Sequence, residues 1–144
     1  MELLAYPAKL EPDPDGGFVV TFPDFGFGVT EGDSEEEALG RAADLLETLI
    51  AAVIDDNEDL PAPSAAGESS IIALRPLVAA KAGLYRALRE AGVSKNELCR
   101  RLGLQYVQLQ RILDPAYGGT KIDEVDRALR ALGKSLVIGV ADAA

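Results

Sequence analysis

The segment SKNELCRRLGLQYVQLQRIL, residues 94–113, constrains the fold of this chain more than any other stretch. Ser94 followed by Glu97 predicts a capping box at the start of a short helix. Gly103 predicts the end of that helix, because glycine readily adopts the positive φ of a helix C-terminal cap. Apolar residues at helical spacing then resume. The segment therefore predicts two short helices joined by a tight turn, which is the spacing of a helix-turn-helix.

The second helix of this pair, predicted from about Gln105 to Leu113, has an outward face without acidic residues. Glutamine can pair bidentately with adenine, arginine can pair with guanine, and valine can contact a thymine methyl group. Lysine commonly contacts phosphates. These pairings predict a surface that docks on double-stranded DNA. The residues predicted to contact DNA are Lys95, Gln105, Tyr106, Val107, Gln108, Gln110 and Arg111. The alternative is an ordinary helical hairpin in which glutamine is only a good surface residue.

The charge of the chain is divided between its two ends. The whole protein carries a formal net charge of −10, but residues 1–66 hold two basic and sixteen acidic side chains, a net of −14. Residues 67–144 hold twelve basic and eight acidic side chains, a net of +4. Such asymmetry predicts two partners of opposite charge, one cationic and one anionic. An acidic half that serves solubility alone is the alternative.

The N-terminal part predicts a β-β-β-α-β unit of the α+β class. A run of turn-forming residues ends in Gly16-Gly17 and predicts a hairpin, while Pro7 predicts that the first strand lies at the edge of the sheet. Ser34 with Glu37 predicts the start of the helix. The predicted strands cover residues 2–10, 18–22, 27–30 and 70–75.

The rest of the chain predicts an all-helical domain, so we expect two domains, 1–75 and 76–144. Pro76 predicts the start of a helix, where its missing N–H costs nothing, and Thr120 is predicted to cap the last helix. The final apolar stretch, SLVIGV (135–140), predicts a strand that cannot bury its own edges. Pairing with a second copy would form a homodimer, or a higher even oligomer, and pairing with the first sheet is the alternative. The residues predicted to mediate dimerisation are Leu136, Val137, Ile138 and Val140.

Four short motifs follow one another along the N-terminal half. They are Gly16-Gly17, Phe22-Pro23-Asp24, Thr30-Glu31-Gly32 and Glu36-Glu37-Ala38. In this order they resemble the N-terminal domain of HicB-type antitoxins. The linker LPAPS (60–64), the helix-turn-helix pattern and the terminal strand also fit that family, so the resemblance covers nearly the whole chain. The segment Gly26-Phe27-Gly28 departs from the commoner Pro-Gly form of the loop.

The resemblance implies an antitoxin of a type II toxin–antitoxin system. The N-terminal domain is then expected to be a partial ribonuclease-H-like fold without activity, which binds a small basic ribonuclease toxin of the HicA type and covers its catalytic face. The C-terminal domain is expected to dimerise and to bind the operator DNA of its own operon. The residues that the resemblance suggests as toxin contacts are Phe22, Asp24, Phe25 and Phe27. The alternative is that some of these aromatic residues belong to the core.

Composition argues against several classes of enzyme. The chain has no histidine and one cysteine, Cys99, so it lacks Ser-His and Cys-His nucleophile pairs and histidine metal ligands. We expect a cytoplasmic protein that is not an enzyme, with no cofactor, no metal site and no membrane contact. Two further hypotheses stay open. One is a stand-alone helix-turn-helix regulator with an acidic sensor domain. The other is a carboxylate-dependent nuclease with Glu11, Asp13 and Asp24 as metal ligands.

Overall fold

The computed structural model describes residues 3–142, and in that range four strands and five helices form a protein of the α+β class, as predicted. The elements are β1 (Ala5–Pro12), β2 (Phe18–Thr21), β3 (Thr30–Gly32), α1 (Glu35–Asp55), β4 (Ser70–Ala73), α2 (Pro76–Ala91), α3 (Lys95–Leu102), α4 (Tyr106–Leu113) and α5 (Ile122–Arg130). Their order from β1 to α5 follows the prediction from sequence.

The four strands form an antiparallel sheet in the order β3-β2-β1-β4. β1 therefore lies inside the sheet, and the prediction that Pro7 marks an edge strand is wrong. The register gives the reason, because β4 pairs with residues 5–8 of β1 and β2 pairs with residues 9–12. At Pro7 the strand has a neighbour on one side only, so proline is tolerated there as it is at an edge.

Helix α1 packs on the sheet and starts where the sequence predicts. Ser34 Oγ accepts a hydrogen bond from Glu37 N at 3.1 Å, and Glu37 Oε2 accepts one from Asp33 N at 3.0 Å. The first bond satisfies a backbone donor that the first turn of a helix leaves unpaired, and the second joins that turn to the residue before the cap. The buried residues of α1 are Ala38, Ala42, Leu46, Leu49, Ile50, Val53 and Ile54. Acidic residues end the helix, as predicted, with Asp55 its last residue.

One hydrophobic core runs through both predicted domains. It joins residues of β1 and β2 to one face of α1, and continues into the buried faces of α2, α3, α4 and α5. Its largest fully buried aliphatic side chains are Leu46, Ile50, Leu84, Leu98, Leu109, Leu113, Val20 and Val125. The predicted boundary after residue 75 is thus crossed by continuous apolar packing, and the division into two domains stays a prediction.

The loop after α1 is held between the two halves by hydrogen bonds. The carbonyl of Pro61 accepts one from Tyr6 Oη of β1 at 2.8 Å and another from the Arg86 guanidinium of α2 at 3.2 Å. Tyr85 Oη, also on α2, donates to the carbonyl of Glu58 at 2.7 Å. The first residues of the predicted linker are therefore docked against the protein.

The helices of the C-terminal half begin and end largely as predicted. Pro76 is the first residue of α2, and Gly92 ends that helix with a φ of 65°. α5 differs, because its N-cap is Lys121 rather than Thr120. The Thr120 side chain is buried, and its Oγ1 donates to the carbonyl of Arg111 at 3.4 Å. The prediction that Thr120 caps α5 is wrong because a tertiary partner takes its hydroxyl.

The terminal segment 135–140 forms no strand within the described part of the chain. The alternative that it joins the first sheet is wrong, since the four strands of that sheet are β1 to β4. Leu136 is half-buried, whereas Val137, Ile138 and Val140 are 66%, 71% and 100% exposed. An isolated segment has no ladder partner and cannot form a sheet alone, so the predicted dimerisation strand stays a prediction about a second copy.

Candidate nucleic-acid and protein interfaces

Helices α3 and α4 are each eight residues long and are joined by the three-residue turn 103–105. Ser94 Oγ accepts a hydrogen bond from Glu97 N at 3.0 Å, which confirms the predicted N-cap. Gly103 has a φ of 67° and ends α3. The buried residues of the two helices are Leu98, Cys99, Leu102, Leu109, Ile112 and Leu113. The local geometry of the helical pair follows the sequence closely because capping contacts lie within four residues.

The outward side of α4 is exposed to solvent. Tyr106 is 47% exposed and Val107 is 52% exposed, which is high for apolar side chains on a helix. The other exposed residues predicted to contact DNA from this helix and its cap are Gln105, Gln108, Gln110 and Arg111. An exposed row of aromatic, apolar, amide and guanidinium groups offers the contact types that base edges accept in a major groove.

Gln108 has a structural role at the start of α4. Its Oε1 accepts a hydrogen bond from the backbone N–H of Gln105 at 2.8 Å. A bidentate contact to adenine needs both the oxygen and the nitrogen of the amide. Gln108 is therefore better placed as a helix cap than as a bidentate base contact, and Gln110 is the remaining glutamine within the helix.

The three basic side chains of α3 are already engaged within the chain. Lys95 is half-buried, and its Nζ donates to Asn57 Oδ1 at 3.1 Å. Arg101 donates to Glu97 Oε1 and to the carbonyl of Ala131, both at 3.1 Å. Arg100 also pairs with Glu97, but its side chain is 80% exposed. Lys95 thus links α3 to the loop after α1, which the sequence did not indicate.

A buried lysine of α2 lies beneath the C-terminal end of α4. Lys81 is 0% exposed, and its Nζ donates to the carbonyls of Arg111, Asp114 and Tyr117 at 3.0, 2.8 and 2.5 Å. Burial lowers the pKa of the Lys81 ammonium, and the carboxylates of Asp114 and Glu124 oppose that shift. Three carbonyl acceptors match the three N–H donors of an ammonium group. Lys81 thus locks the end of α4 to the following loop.

The segment 22–29, which we call the aromatic loop, holds the residues expected to contact a toxin. Phe22 is 1% exposed and belongs to the core, so its predicted role as a surface contact is wrong. Phe25 is half-buried and packs on Tyr6, with ring centroids 4.9 Å apart. Asp24 is also half-buried, and its Oδ2 accepts a hydrogen bond from Ser64 N at 3.0 Å. These three side chains hold the loop in place.

The outer part of the aromatic loop projects two apolar side chains into solvent. Phe27 is 50% exposed and Val29 is 61% exposed. Between them, Gly28 has a φ of 84°, and a Cβ there would lie 2.5 Å from Leu49 Cδ2 of α1. Glycine therefore lets the loop lie directly on α1 while its neighbours point away. Val29 was missed by the sequence analysis, which placed it inside a strand.

The carboxylates proposed for nuclease chemistry are separately engaged. Glu11 pairs with Lys9 at 3.0 Å, and Asp13 Oδ1 accepts from the backbone N–H of Asp15 at 3.0 Å. Asp24 holds Ser64, as described above. Within residues 3–142, no three Asp, Glu, Cys or His side chains come together as a metal-binding group. Over the same range, no helix is long and apolar enough to span a bilayer.

Comparison with known proteins identifies close relatives. The model of a family described as HicB-like antitoxin of bacterial toxin–antitoxin systems matches residues 5–83. The protein named antitoxin HicB 1 of Photorhabdus laumondii is 36% identical over 95% of this chain and 87% of its own length. Antitoxin HicB of Pseudomonas fluorescens is 42% identical over 76% of this chain and 75% of its own. Antitoxin HicB of Escherichia coli is 36% identical over 92% and 96%.

Proposed function

The chain belongs to the HicB-like antitoxin family of toxin–antitoxin systems, and from that premise we propose two activities. The N-terminal half binds a small basic ribonuclease toxin of the HicA type and covers its active face. The C-terminal half binds operator DNA and so represses its own operon. The protein acts by binding and catalyses no reaction. The observation that carries the proposal is a separation of charge and exposed surface along the chain. The N-terminal half has a net charge of −14 and an exposed aromatic loop, and the C-terminal half has a net charge of +4 and an exposed polar helix face.

The proposed toxin-binding face combines the exposed apolar residues of the aromatic loop with acidic side chains around it. Phe27 and Val29 supply an apolar centre, and large apolar anchors dominate binding energy at interfaces. Glu31, Glu35 and Glu36 are exposed beside them in the sequence. A toxin that handles RNA is expected to be cationic, so this acidic half would accelerate association by electrostatic steering.

The proposed DNA-binding face is the outward side of α4. Tyr106, Val107, Gln110 and Arg111 are exposed and carry the contact chemistry for base edges. The acidic N-terminal half would repel the phosphates of DNA. Toxin binding and DNA binding are therefore assigned to different halves of the chain. Dimerisation through the terminal segment 135–140 would give two such helices, as a two-fold symmetric operator requires.

Co-expression with the small reading frame adjacent to this gene tests the toxin-binding activity. We expect that frame to inhibit growth when expressed alone, and co-expression of this chain to restore growth. Phe27→Ala should weaken rescue and co-purification, whereas Leu3→Ala, at another exposed apolar position on the chain, should not. An adjacent frame without toxicity would contradict the toxin half of the proposal.

Gel shifts with the DNA upstream of the gene test the operator-binding activity. Arg111→Ala is expected to weaken specific binding by roughly 1–3 kcal/mol if it contacts a guanine. An equal loss on random-sequence DNA would make Arg111 a phosphate contact instead. A stand-alone regulator would also bind this DNA, so the adjacent toxin gene is what distinguishes the antitoxin from that alternative.

A further inference from the structure

We propose that Tyr117 is a positioning residue that holds the Arg111 guanidinium ready for its contact with operator DNA. The inference rests on the proposed DNA binding and adds how the loop after α4 controls it. Arg111 is the one arginine of α4, and its Cζ lies 5.8 Å from the centre of the Tyr117 ring. A guanidinium at that distance is attracted by the face of an aromatic ring.

The far end of the Tyr117 ring lies close to Gly119. A Cβ on Gly119 would lie 2.7 Å from Tyr117 Oη and 2.8 Å from Tyr117 Cζ. No real Cβ makes contacts that short, so the ring lies where only a glycine leaves room. The backbone of Gly119 is outside the left-handed region that favours glycine, so the ring, and not the backbone, accounts for glycine at this position.

Lys81 fixes the two backbones that carry this pair. The same Nζ donates to the carbonyl of Arg111 and to the carbonyl of Tyr117, and it lies 5.4 Å from the Tyr117 ring centre. Tyr117 is 41% exposed, so it can face DNA and still be anchored at its backbone. A side chain held before binding loses less conformational entropy in the complex, which increases affinity.

Substitution of the two adjacent glycines tests the proposal without touching Arg111 or Tyr117. Gly119→Ala forces the ring to move, whereas Gly118→Ala meets nothing within 4 Å and needs no unusual φ. The dissociation constant is measured for a duplex with the sequence upstream of the gene. It is compared with the dissociation constant for a mixed-sequence duplex of the same length. We expect Gly119→Ala to weaken only the specific complex by about two- to fivefold, the equivalent of an exposed cation–π contact. Gly118→Ala should bind like the wild type.

A second pair of variants separates positioning from loop stability. Tyr117→Phe keeps the aromatic face and should retain specific affinity, and Tyr117→Leu removes that face and should lose as much as Gly119→Ala. In an Arg111→Ala background neither Gly119→Ala nor Tyr117→Leu should weaken binding further, because the group they position is gone. The melting temperature of Tyr117→Leu should stay close to that of the wild type, since Lys81 still donates to the backbone carbonyl of residue 117.

The following results would contradict the proposed role of Tyr117. Losses that persist in the Arg111→Ala background, or that are equal on mixed-sequence DNA, would overturn it. So would specific binding that is unchanged in both Gly119→Ala and Tyr117→Leu, and this result would leave operator binding intact. A wild-type protein that does not bind its upstream DNA would overturn the proposed operator function and this inference together.

Discussion

At the scale of single residues, the exposed side of α4 carries two kinds of side chain. Some form hydrogen bonds with the helix backbone, and others are left to contact a partner. Gln108 and Gln110 are the same residue type two positions apart and are both exposed. Their local hydrogen bonds distinguish them, because Gln108 Oε1 accepts from the N–H of Gln105 at the start of the helix. Gln108 therefore has a role in the helix cap that Gln110 lacks, and the contact of both residues with DNA stays a prediction.

Gln108→Glu should retain stability and weaken DNA binding. A glutamate at the third helical position can accept the same hydrogen bond from Gln105 N and suits the helix dipole, but its charge faces the phosphates. We expect an unchanged melting temperature and roughly tenfold weaker binding to specific and mixed-sequence DNA alike, with a salt slope reduced by about one phosphate contact. Thermal unfolding and gel shifts at several salt concentrations measure both effects.

Gln108→Ala is the matched control for that variant. It removes the hydrogen bond to Gln105 N without adding charge, so it should cost about 0.5–1.5 kcal/mol of unfolding free energy and leave the salt slope unchanged. If Gln108→Glu bound DNA as tightly as the wild type, α4 would not face the phosphates and the proposed DNA-binding face would be refuted.

At the scale of elements, the terminal segment is the part whose structure depends most on a partner. It is tied to α5 at one point, where Asp126 Oδ1 accepts from Leu136 N at 2.8 Å and Asp126 Oδ2 accepts from Arg130 Nε at 2.8 Å. Beyond Leu136 the apolar side chains are exposed. A segment anchored at its start and unpaired afterwards is suited to pairing with a second copy.

Ile138→Asp should convert a dimer into a monomer without unfolding the chain. Ile138 is 71% exposed within one chain, so the substitution costs the monomer little, but two buried carboxylates at a two-fold contact would be strongly unfavourable. Sedimentation should give twice 15.2 kDa for the wild type and 15.2 kDa for the variant. Ser135→Asp, exposed in the same segment, should remain dimeric. A wild-type monomer at every concentration would refute the predicted dimerisation.

The tether of the terminal segment should depend on pH. Hydrogen bonds from Arg130 and from the backbone N–H of Leu136 lower the pKa of Asp126. Its contribution is therefore complete above the pKa of about 3.9 of an unfolded aspartate, and it is lost as pH falls through the lower folded pKa. Acid should lower the protection of the Leu136 amide, so that its hydrogen exchange becomes faster relative to the intrinsic rate at the same pH. Asp126→Ala should do so already at neutral pH, and Asp123→Ala, an exposed carboxylate of the same helix, should not.

At the scale of the whole molecule, two electrically opposite halves share one packed interior. The core runs from the sheet through α1 to the buried faces of α2 to α5. The carbonyl of Pro61 accepts from Tyr6 on the sheet and from Arg86 on α2, and Arg89 of α2 pairs with Asp59 at 2.5 Å across the predicted domain boundary. A small protein with one continuous core is expected to unfold in a single cooperative transition.

Leu46→Ala should therefore destabilise the C-terminal half as well as the N-terminal half that contains it. Leu46 is fully buried on α1, and removal of a buried leucine side chain costs about 2–5 kcal/mol. Native-state hydrogen exchange should show faster exchange in α4 as well as in the sheet. Val29→Ala, at an exposed position, serves as the control and should leave hydrogen exchange unchanged in both α4 and the sheet. Faster exchange confined to the N-terminal half would show that the halves unfold separately.

The sequence by itself determined the elements whose signals are local. Ser34, Ser94, Gly92 and Gly103 cap helices at the predicted positions, because a cap is made by contacts within about four residues. The order of strands and helices, the separation of charge and the family resemblance were also legible from residue types alone. These features do not depend on which distant segment packs beside them.

The tertiary structure decided what depends on distant partners. It placed Phe22 in the core, Pro7 in an inner strand and Lys81 beneath α4. It also gave the Thr120 hydroxyl a partner outside the helix that it was expected to cap. A buried lysine has no signature in the local sequence. The role of Lys81 is fixed by the carbonyls of Arg111 and Tyr117, which lie 30 and 36 residues away along the chain and are brought to it only by folding.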